Sequence, residues 1–285
     1  MPTTANGTVY RSETRTPGNA RTPITDNIRF HAPTAYDTMT PPNSCRGVRL
    51  AMFFHGIAGD ENTLSGLPTI LECLIDAGFV VVEARQCKDP SPSQNYQPGS
   101  HDTCAYDNYR QAYLDMADRY CLRDETHIIA NSWGGINGLY AATQDPVISP
   151  TVQSVTLLRA ATNLNGLFAD QPFTQPIIQQ MFGVPLSPTI DQYRPELWPT
   201  SDYQNVPCWN VYYSETDEIV DSTIHVDPLV PRLPAGTFIQ EIPGLTHGDP
   251  GWLEVNPCPQ IARCSAEATQ PLGCVPCAKS SVALP

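Results

Sequence analysis

Ser132 stands where a buried apolar run gives way to glycines, in the stretch "HIIANSWGG". The residues two positions before and after it are Ala130 and Gly134, and both are small. A nucleophilic serine on a sharp turn between a strand and a helix needs such neighbours, because the backbone there is strained. This motif alone leaves two interpretations about equally open. Ser132 is either a nucleophile or a serine that caps the following helix.

Two further residues could activate that serine, whose hydroxyl is a poor nucleophile without a base. Asp217 follows the apolar run "CWNVYYS", and His247 lies in a glycine-containing loop after the last predicted strand. We predict that Ser132 attacks a carbonyl carbon, that His247 transfers its proton, and that Asp217 orients the imidazole.

Other acidic residues lie close to Asp217 in the chain. Glu215, Glu218 and Asp221 belong to the same loop, and most loop carboxylates are simply solvated. Asp217 is favoured by its distance from the end of the strand.

Other histidines are weaker candidates for the base. His225 could rival His247, although no predicted strand precedes it. We expect His55 to shape a loop rather than to transfer protons. The histidines without any partner pattern are His31, His101 and His127.

An oxyanion needs backbone donors, and two amides are well placed in the sequence. Ile57 follows "HG" after a buried strand, and Trp133 follows the nucleophile, so we predict that their N–H groups form the oxyanion hole. Trp133 and the apolar residues Ile178, Met181 and Phe182 either line an acyl or aromatic pocket or simply pack a lid. The sequence has no phosphate-binding glycine motif, and the predicted chemistry needs neither a cofactor nor a metal.

The elements that must position these residues alternate between strand and helix. Strands are predicted at "VRLAMFF", "FVVVEA", "HIIAN", "SVTLLRA", "CWNVYYS" and "TFIQEI", and the first two are predicted to be buried. Helical patterns lie at 68–78, 107–120 and 135–143. This alternation predicts an α/β protein with a mostly parallel central sheet and helices on both faces.

The chain divides into segments of different composition. Residues 1–26 are rich in Thr, Pro, Asn and Arg and are predicted to form an extended N-terminal arm. Residues 27–256 form the α/β domain, in which the Pro- and Gln-rich segment 163–205 is a lid-like insertion. Residues 257–285 form a cysteine-rich C-terminal tail.

The order serine, acid and histidine, each after a strand, resembles that of the α/β-hydrolases over about residues 45–256. The stretch "MADRYCLRDETHIIANSWGG" is similar to the segment before the nucleophile of feruloyl esterases and polyhydroxyalkanoate depolymerases. The loop "THGDPGW" resembles their histidine loop, and Ala130 stands where those enzymes usually have Gly. The resemblance implies an α/β-hydrolase fold and cleavage of a carboxylic ester, including one on a polysaccharide or polyester, without a cofactor.

Two alternatives to an esterase stay open. The fold could serve as a binding or structural module of a virion or cell-surface assembly, attached through the N-terminal arm or the C-terminal tail. The same three residues could also cleave an amide or peptide.

Composition restricts the partners and the location of the protein. The formal charge of −13 argues against nucleic acid and anionic membranes, and no apolar run reaches membrane-spanning length. Ten cysteines favour oxidising surroundings, so we predict an extracellular or virion-associated protein. The first residues lack the apolar core of a secretory signal, so a leader was removed or the protein leaves the cell by another route.

The cysteines themselves form two groups of interest. Cys87 and Cys104 flank a polar loop that a disulfide would stiffen. The tail cysteines could form disulfides or hold zinc, and their spacing favours disulfides: Cys258, Cys264, Cys274 and Cys277.

Overall fold

A computed structural model describes residues 1–15, 28–38, 48–57, 59, 62–84, 106–120, 122–182 and 188–267. Its strands are β1 (Tyr10–Arg15), β2 (Ile28–Pro33), β3 (Val48–Phe54), β4 (Phe79–Ala84), β5 (Leu122–Asn131), β6 (Val152–Leu158), β7 (Cys208–Tyr213) and β8 (Phe238–Glu241). They form one eight-stranded sheet in the order β1-β2-β4-β3-β5-β6-β7-β8. All pairings among β3 to β8 are parallel, whereas β2 pairs antiparallel with both β1 and β4. The predicted mostly parallel α/β sheet is confirmed.

The described helices are α1 (Pro68–Asp76), α2 (Tyr106–Arg119), α3 (Gly134–Thr143), α4 (Leu164–Asp170), α5 (Gln175–Phe182), α6 (Thr200–Gln204), α7 (Ser222–His225) and α8 (Cys258–Glu267). α1 begins at a proline, whose missing N–H costs nothing in the first turn. It ends before Gly78, which has φ +80° and donates its N–H to the Ile75 carbonyl at 2.9 Å. That left-handed backbone is easy for glycine and terminates the helix where the sequence predicted. In the part of the chain that the structure describes, no helix is long and apolar enough to cross a membrane.

Two strands at one edge of the sheet were not predicted. β2 is almost wholly buried, and β1 has the polar sequence "YRSETR" because it is an edge strand with exposed positions. The segment predicted as an arm therefore contributes β1 to the sheet. β5 also starts five residues earlier than "HIIAN", because Leu122 pairs with Val48 of β3.

The apolar core lies on both sides of this sheet. Alternate residues of β3 face opposite sides, so Leu50, Met52 and Phe54 join one cluster. Ala51 and Phe53 join the other. Burial on both faces explains the continuous apolar runs of the central strands.

Two disulfides attach the last described helix to the domain. Cys258 pairs with Cys73 of α1, and Cys264 pairs with Cys208 of β7. The predicted disulfides are confirmed for these two tail cysteines, whose partners lie in the α/β domain and not in the tail. Cys87, Cys104, Cys274 and Cys277 lie outside the described residues.

Candidate active site

Ser132 lies at the point where the strand order changes direction. β3 is followed in sequence by β4 on one side, while its other neighbour in the sheet is β5. The crevice at the carboxyl ends of such strands is the usual place for a ligand in open α/β sheets. Ser132 directly follows β5 and has φ 53°, a left-handed backbone that is strained for a residue with a Cβ. α3 begins two residues later, as expected of a strand-to-helix turn that presents a nucleophile.

The structure brings the three predicted residues together. Ser132 Oγ lies 2.8 Å from His247 Nε2. On the other side of the ring, His247 Nδ1 lies 2.9 Å from Asp217 Oδ2 and 3.0 Å from Oδ1. These separations are within hydrogen-bond reach of a serine and its base. The side chain of His247 is 14% exposed, so the site is open to a substrate.

Asp217 differs from the neighbouring acids in its burial and contacts. It is 4% exposed, and its Oδ1 accepts the N–H groups of Ile219 at 3.0 Å and Val220 at 2.8 Å. Glu218 is exposed and accepts the backbone N–H of His247 at 3.1 Å. Asp221 instead caps α7, and its hydrogen bonds with Thr223 lower the pKa of that carboxyl. Only Asp217 is buried and faces the imidazole.

Two other histidines near the site have structural contacts. His225 is buried, and its Nδ1 accepts the N–H groups of Thr162 at 3.1 Å and Asn163 at 3.2 Å. Burial lowers the pKa of His225 from 6.5 to about 4, so the ring is neutral and holds the loop after β6. His55 Nδ1 lies 2.8 Å from the Gly56 carbonyl oxygen, and Nε2 lies 3.1 Å from that of Ala84. His55 thus shapes the loop after β3.

A second hydrogen-bonded set of an acid, a histidine and a serine lies within β5 and β6, and we call it the inner set. His127 Nδ1 lies 2.7 Å from Ser154 Oγ, and His127 Nε2 lies 3.2 Å from Glu125 Oε1. Ser154 and His127 are fully buried, so no substrate can reach them. Ser132 differs from the serine of this inner set in being accessible and in having a strained backbone.

Of the two remaining histidines, His31 is buried, and burial lowers its pKa to about 4. His101 lies outside the described residues.

A small apolar cavity adjoins Ser132 and His247. Its volume is about 80 Å³, and both predicted oxyanion residues, Ile57 and Trp133, line it. The remaining lining residues are Ala161, Leu167, Phe173, Thr174, Ile219 and Val220. None of these six was predicted to line a pocket, because they come from α4, from the turn before α5 and from the loops after β6 and β7, and no periodic pattern connects them. The Thr174 hydroxyl donates to the carbonyls of Leu167 and Gln171, so its proton is not available to a ligand.

The structure describes the side chain of one of the three predicted lid residues, Ile178. Ile178 is buried in a cluster with Trp133, Leu164 and Leu167, and it does not line the cavity. Met181 and Phe182 end α5, and their side chains lie outside the described residues. The segment 163–205 still reaches the site, through Leu167, Phe173 and Thr174.

The sequence matches no protein-family model and no curated protein, whereas solved structures resemble the fold. The Staphylococcus aureus fluorophosphonate-binding serine hydrolase FphF is 15% identical, with a TM-score of 0.66 over 90% of this chain and 98% of that one. A hyperthermophilic esterase from the archaeon Pyrobaculum calidifontis is 17% identical, with a TM-score of 0.61 over 91% and 87%. Puromycin hydrolase is 13% identical, with a TM-score of 0.67 over 92% of this chain and 40% of that one. The neighbours are esterases and serine hydrolases, and the chain has the α/β-hydrolase fold.

Proposed function

We propose that the protein is a serine hydrolase that cleaves a carboxylic ester through an acyl-enzyme. The observation that carries this proposal is the continuous chain of close contacts from Ser132 Oγ through His247 to Asp217, at a strained turn beside an open cavity. The same set of contacts makes a serine nucleophilic in unrelated folds, because the base accepts its proton and the acid stabilises the imidazolium.

In the proposed reaction His247 Nε2 takes the Ser132 proton while Oγ attacks the carbonyl carbon. The N–H groups of Ile57 and Trp133 hold the resulting oxyanion, which lies in the cavity that these two residues line. The imidazolium then gives its proton to the leaving alcohol, and an acyl-Ser132 ester is formed. Water, deprotonated by His247, releases the acid and restores the serine. Asp217 Oδ2 keeps the Nδ1–H in place throughout.

The size and apolar lining of the cavity favour a short aliphatic acyl chain. A cavity of about 150 Å³ lined by apolar residues is large enough for benzene. The cavity beside Ser132 has about half that volume, about 80 Å³, so we expect an acetyl to butyryl chain to fill it and an aromatic acid to extend beyond it. Among the described lining residues only His247 can carry a charge, so a charged acyl group would find no partner. The proposed substrate is therefore a short-chain ester, and its alcohol can belong to a small molecule or a polymer.

Amide cleavage is the second candidate, because puromycin hydrolase is among the structural neighbours. The same residues would act, with His247 protonating a leaving amine. We favour ester cleavage over amide cleavage because an alcohol is a better leaving group than an amine.

An extracellular location is part of the proposal. Two disulfides join distant parts of the chain, and such bonds persist in oxidising surroundings.

The test uses a fluorophosphonate probe together with p-nitrophenyl esters of two to twelve carbons, p-nitrophenyl benzoate and the matching anilides. We expect Ser132 to be labelled and kcat/KM to be highest for acyl chains of two to four carbons. Ser132→Ala should lose labelling and at least about a thousandfold in kcat. Ser154→Ala is the matched control, because Ser154 also contacts a histidine but is buried, and it should keep both. Turnover that survives in Ser132→Ala would refute the mechanism, and faster cleavage of the anilides would favour the amide hydrolase.

A further inference from the structure

The loop that carries His247 has little packing of its own. From Glu241 to Pro250 every residue is exposed or only half-buried. A loop of this kind needs other contacts to keep a histidine within hydrogen-bond distance of a serine. Three consecutive carbonyl oxygens of the loop, those of residues 245–247, each accept a hydrogen bond from a side chain: Thr216 Oγ1, Trp252 Nε1 and Arg159 Nη1. The last of these donors binds the carbonyl of His247 itself.

Arg159 is the donor that also reaches the nucleophile. Its Nε donates to Asn131 Oδ1 at 3.1 Å, and Asn131 is the residue before Ser132. Its backbone N–H donates to the Tyr212 carbonyl at 2.9 Å, next to the end of β7. One side chain therefore connects the turn of Ser132 with the loop of His247.

The backbone and surroundings of Arg159 indicate that this placement is specific. It directly follows β6 and has φ 40°, which is strained for a non-glycine residue. Its guanidinium lies 5.5 Å from the centre of the Trp252 ring. Burial lowers the pKa of Arg159, while the Asp217 carboxylate raises it, so the two charges favour each other. A strained residue with contacts to three loop ends is typical of a site that must hold its geometry.

We propose that Arg159 is a positioning residue that fixes the distance between His247 and Ser132, an inference that rests on the proposed hydrolase activity. It does not line the cavity, and it acts through the His247 carbonyl and the Asn131 side chain. Without Arg159, the loop of His247 keeps its contacts with Thr216 and Trp252 but loses the side-chain link through Asn131 to the turn of Ser132. Because a misplacement of about 1 Å can cost a hundredfold in rate, the loss should appear in the chemical step.

The test compares Arg159→Met with Arg232→Met. Arg232 is a matched control, because it is also half-buried, donates to backbone carbonyls of Pro195 and Trp198, and lies 4.3 Å from the centre of the Tyr203 ring. We expect Arg159→Met to lower kcat and the rate of fluorophosphonate labelling by about tenfold to a hundredfold, with KM within about twofold of its original value. Arg232→Met should lower Tm to a similar extent and leave kcat unchanged. Arg159→Lys, which keeps the charge and one donor, should recover part of the rate and covers the case in which the Met variant does not fold.

A double-mutant cycle with Asn131→Ala tests the link itself. Asn131→Ala should lower kcat in the original protein and have a much smaller effect in Arg159→Met, because the contact is already gone. Additive effects, or an Arg159→Met kcat equal to that of Arg232→Met, would overturn the positioning role. Labelling of Ser132 separates the two proposals: if Ser132 is labelled but Arg159→Met is fully active, only the role of Arg159 fails.

Discussion

Gly138→Ala should destabilise the protein, although alanine is the better helix former. Gly138 lies in α3, directly against β5, and a Cβ at this position would be 2.8 Å from the Cβ of Ala130. The next contacts would be Ile128 Cγ2 at 3.2 Å and Phe54 Cδ2 at 3.6 Å. Ala130 stands where the enzymes that this stretch of sequence resembles usually have Gly. The methyl group of Ala130 fits because Gly138 has none.

The expected energies follow from that geometry. Overpacking a core by one methyl costs about 1–3 kcal/mol, and the higher helix propensity of alanine returns about 1 kcal/mol. Gly138→Ala should therefore lower the free energy of unfolding by about 1 kcal/mol. Ala130→Gly should lower it by about 1.5 kcal/mol, because a buried methyl is lost and glycine weakens the strand. In the double variant the 2.8 Å contact is absent, so the two losses should not add.

Denaturant unfolding of the four proteins under non-reducing conditions measures the coupling. We expect an interaction energy of about 1–2 kcal/mol in favour of the double variant, with similar m values. The fluorophosphonate labelling rate should fall in Gly138→Ala and recover in the double variant, because α3 can again approach β5 behind Ser132. An interaction energy below about 0.5 kcal/mol would refute the reasoning, since it would mean that the two positions do not share this space.

Three further predictions concern the site and its supports. Asp217→Asn should lower kcat by about 10⁴-fold because it favours the wrong imidazole tautomer, whereas Glu215→Gln, an exposed acid of the same loop, should leave kcat unchanged. Replacing both Cys208 and Cys264 by Ser removes a link between residues 56 apart in sequence and should lower the free energy of unfolding by about 4 kcal/mol in non-reducing denaturation, whereas a loss below about 1 kcal/mol would contradict it. The pKa of His225 is about 4 in the folded protein and 6.5 as its ordinary value, so the unfolded chain binds a proton first and stability should fall as pH drops below 6.5. Between pH 6.5 and about 4, protonation of His225 in the unfolded chain lowers the free energy of unfolding by about 1.4 kcal/mol per pH unit. The free energy of unfolding of His225→Gln should therefore fall less steeply with pH. An unchanged pH dependence would contradict the lowered pKa of His225.

Much of the site could be predicted because strand ends in a parallel sheet share one edge. Ser132 and Asp217 follow strands whose apolar runs are visible in the sequence, and His247 follows the last predicted strand, so their meeting place follows from the topology. The inner set around His127 was not predicted, because its serine belongs to another strand and its histidine is part of an ordinary apolar run.

Other features had no signal in the sequence. Arg159 resembles a solvated charge after a strand, and only the neighbouring loops turn it towards the His247 carbonyl. The edge strand β1 lacks apolar alternation, because its described residues after Tyr10 are half-buried or exposed and polar. The partners of Cys258 and Cys264 could not be deduced, because disulfide connectivity depends on which cysteines fold next to each other.

The sequence by itself determined the order of the strands β3 to β8 and of the helices α1 to α3, because the periodicity of apolar residues reflects burial of each element on one face or two. It also determined which serine, acid and histidine follow strand ends, and therefore which edge of the sheet carries them. Only the tertiary structure decided the separation of Ser132 and His247, the volume of the cavity and the contacts of Arg159. These quantities depend on how loops far apart in the chain pack together, and loop packing has no period that a sequence can display.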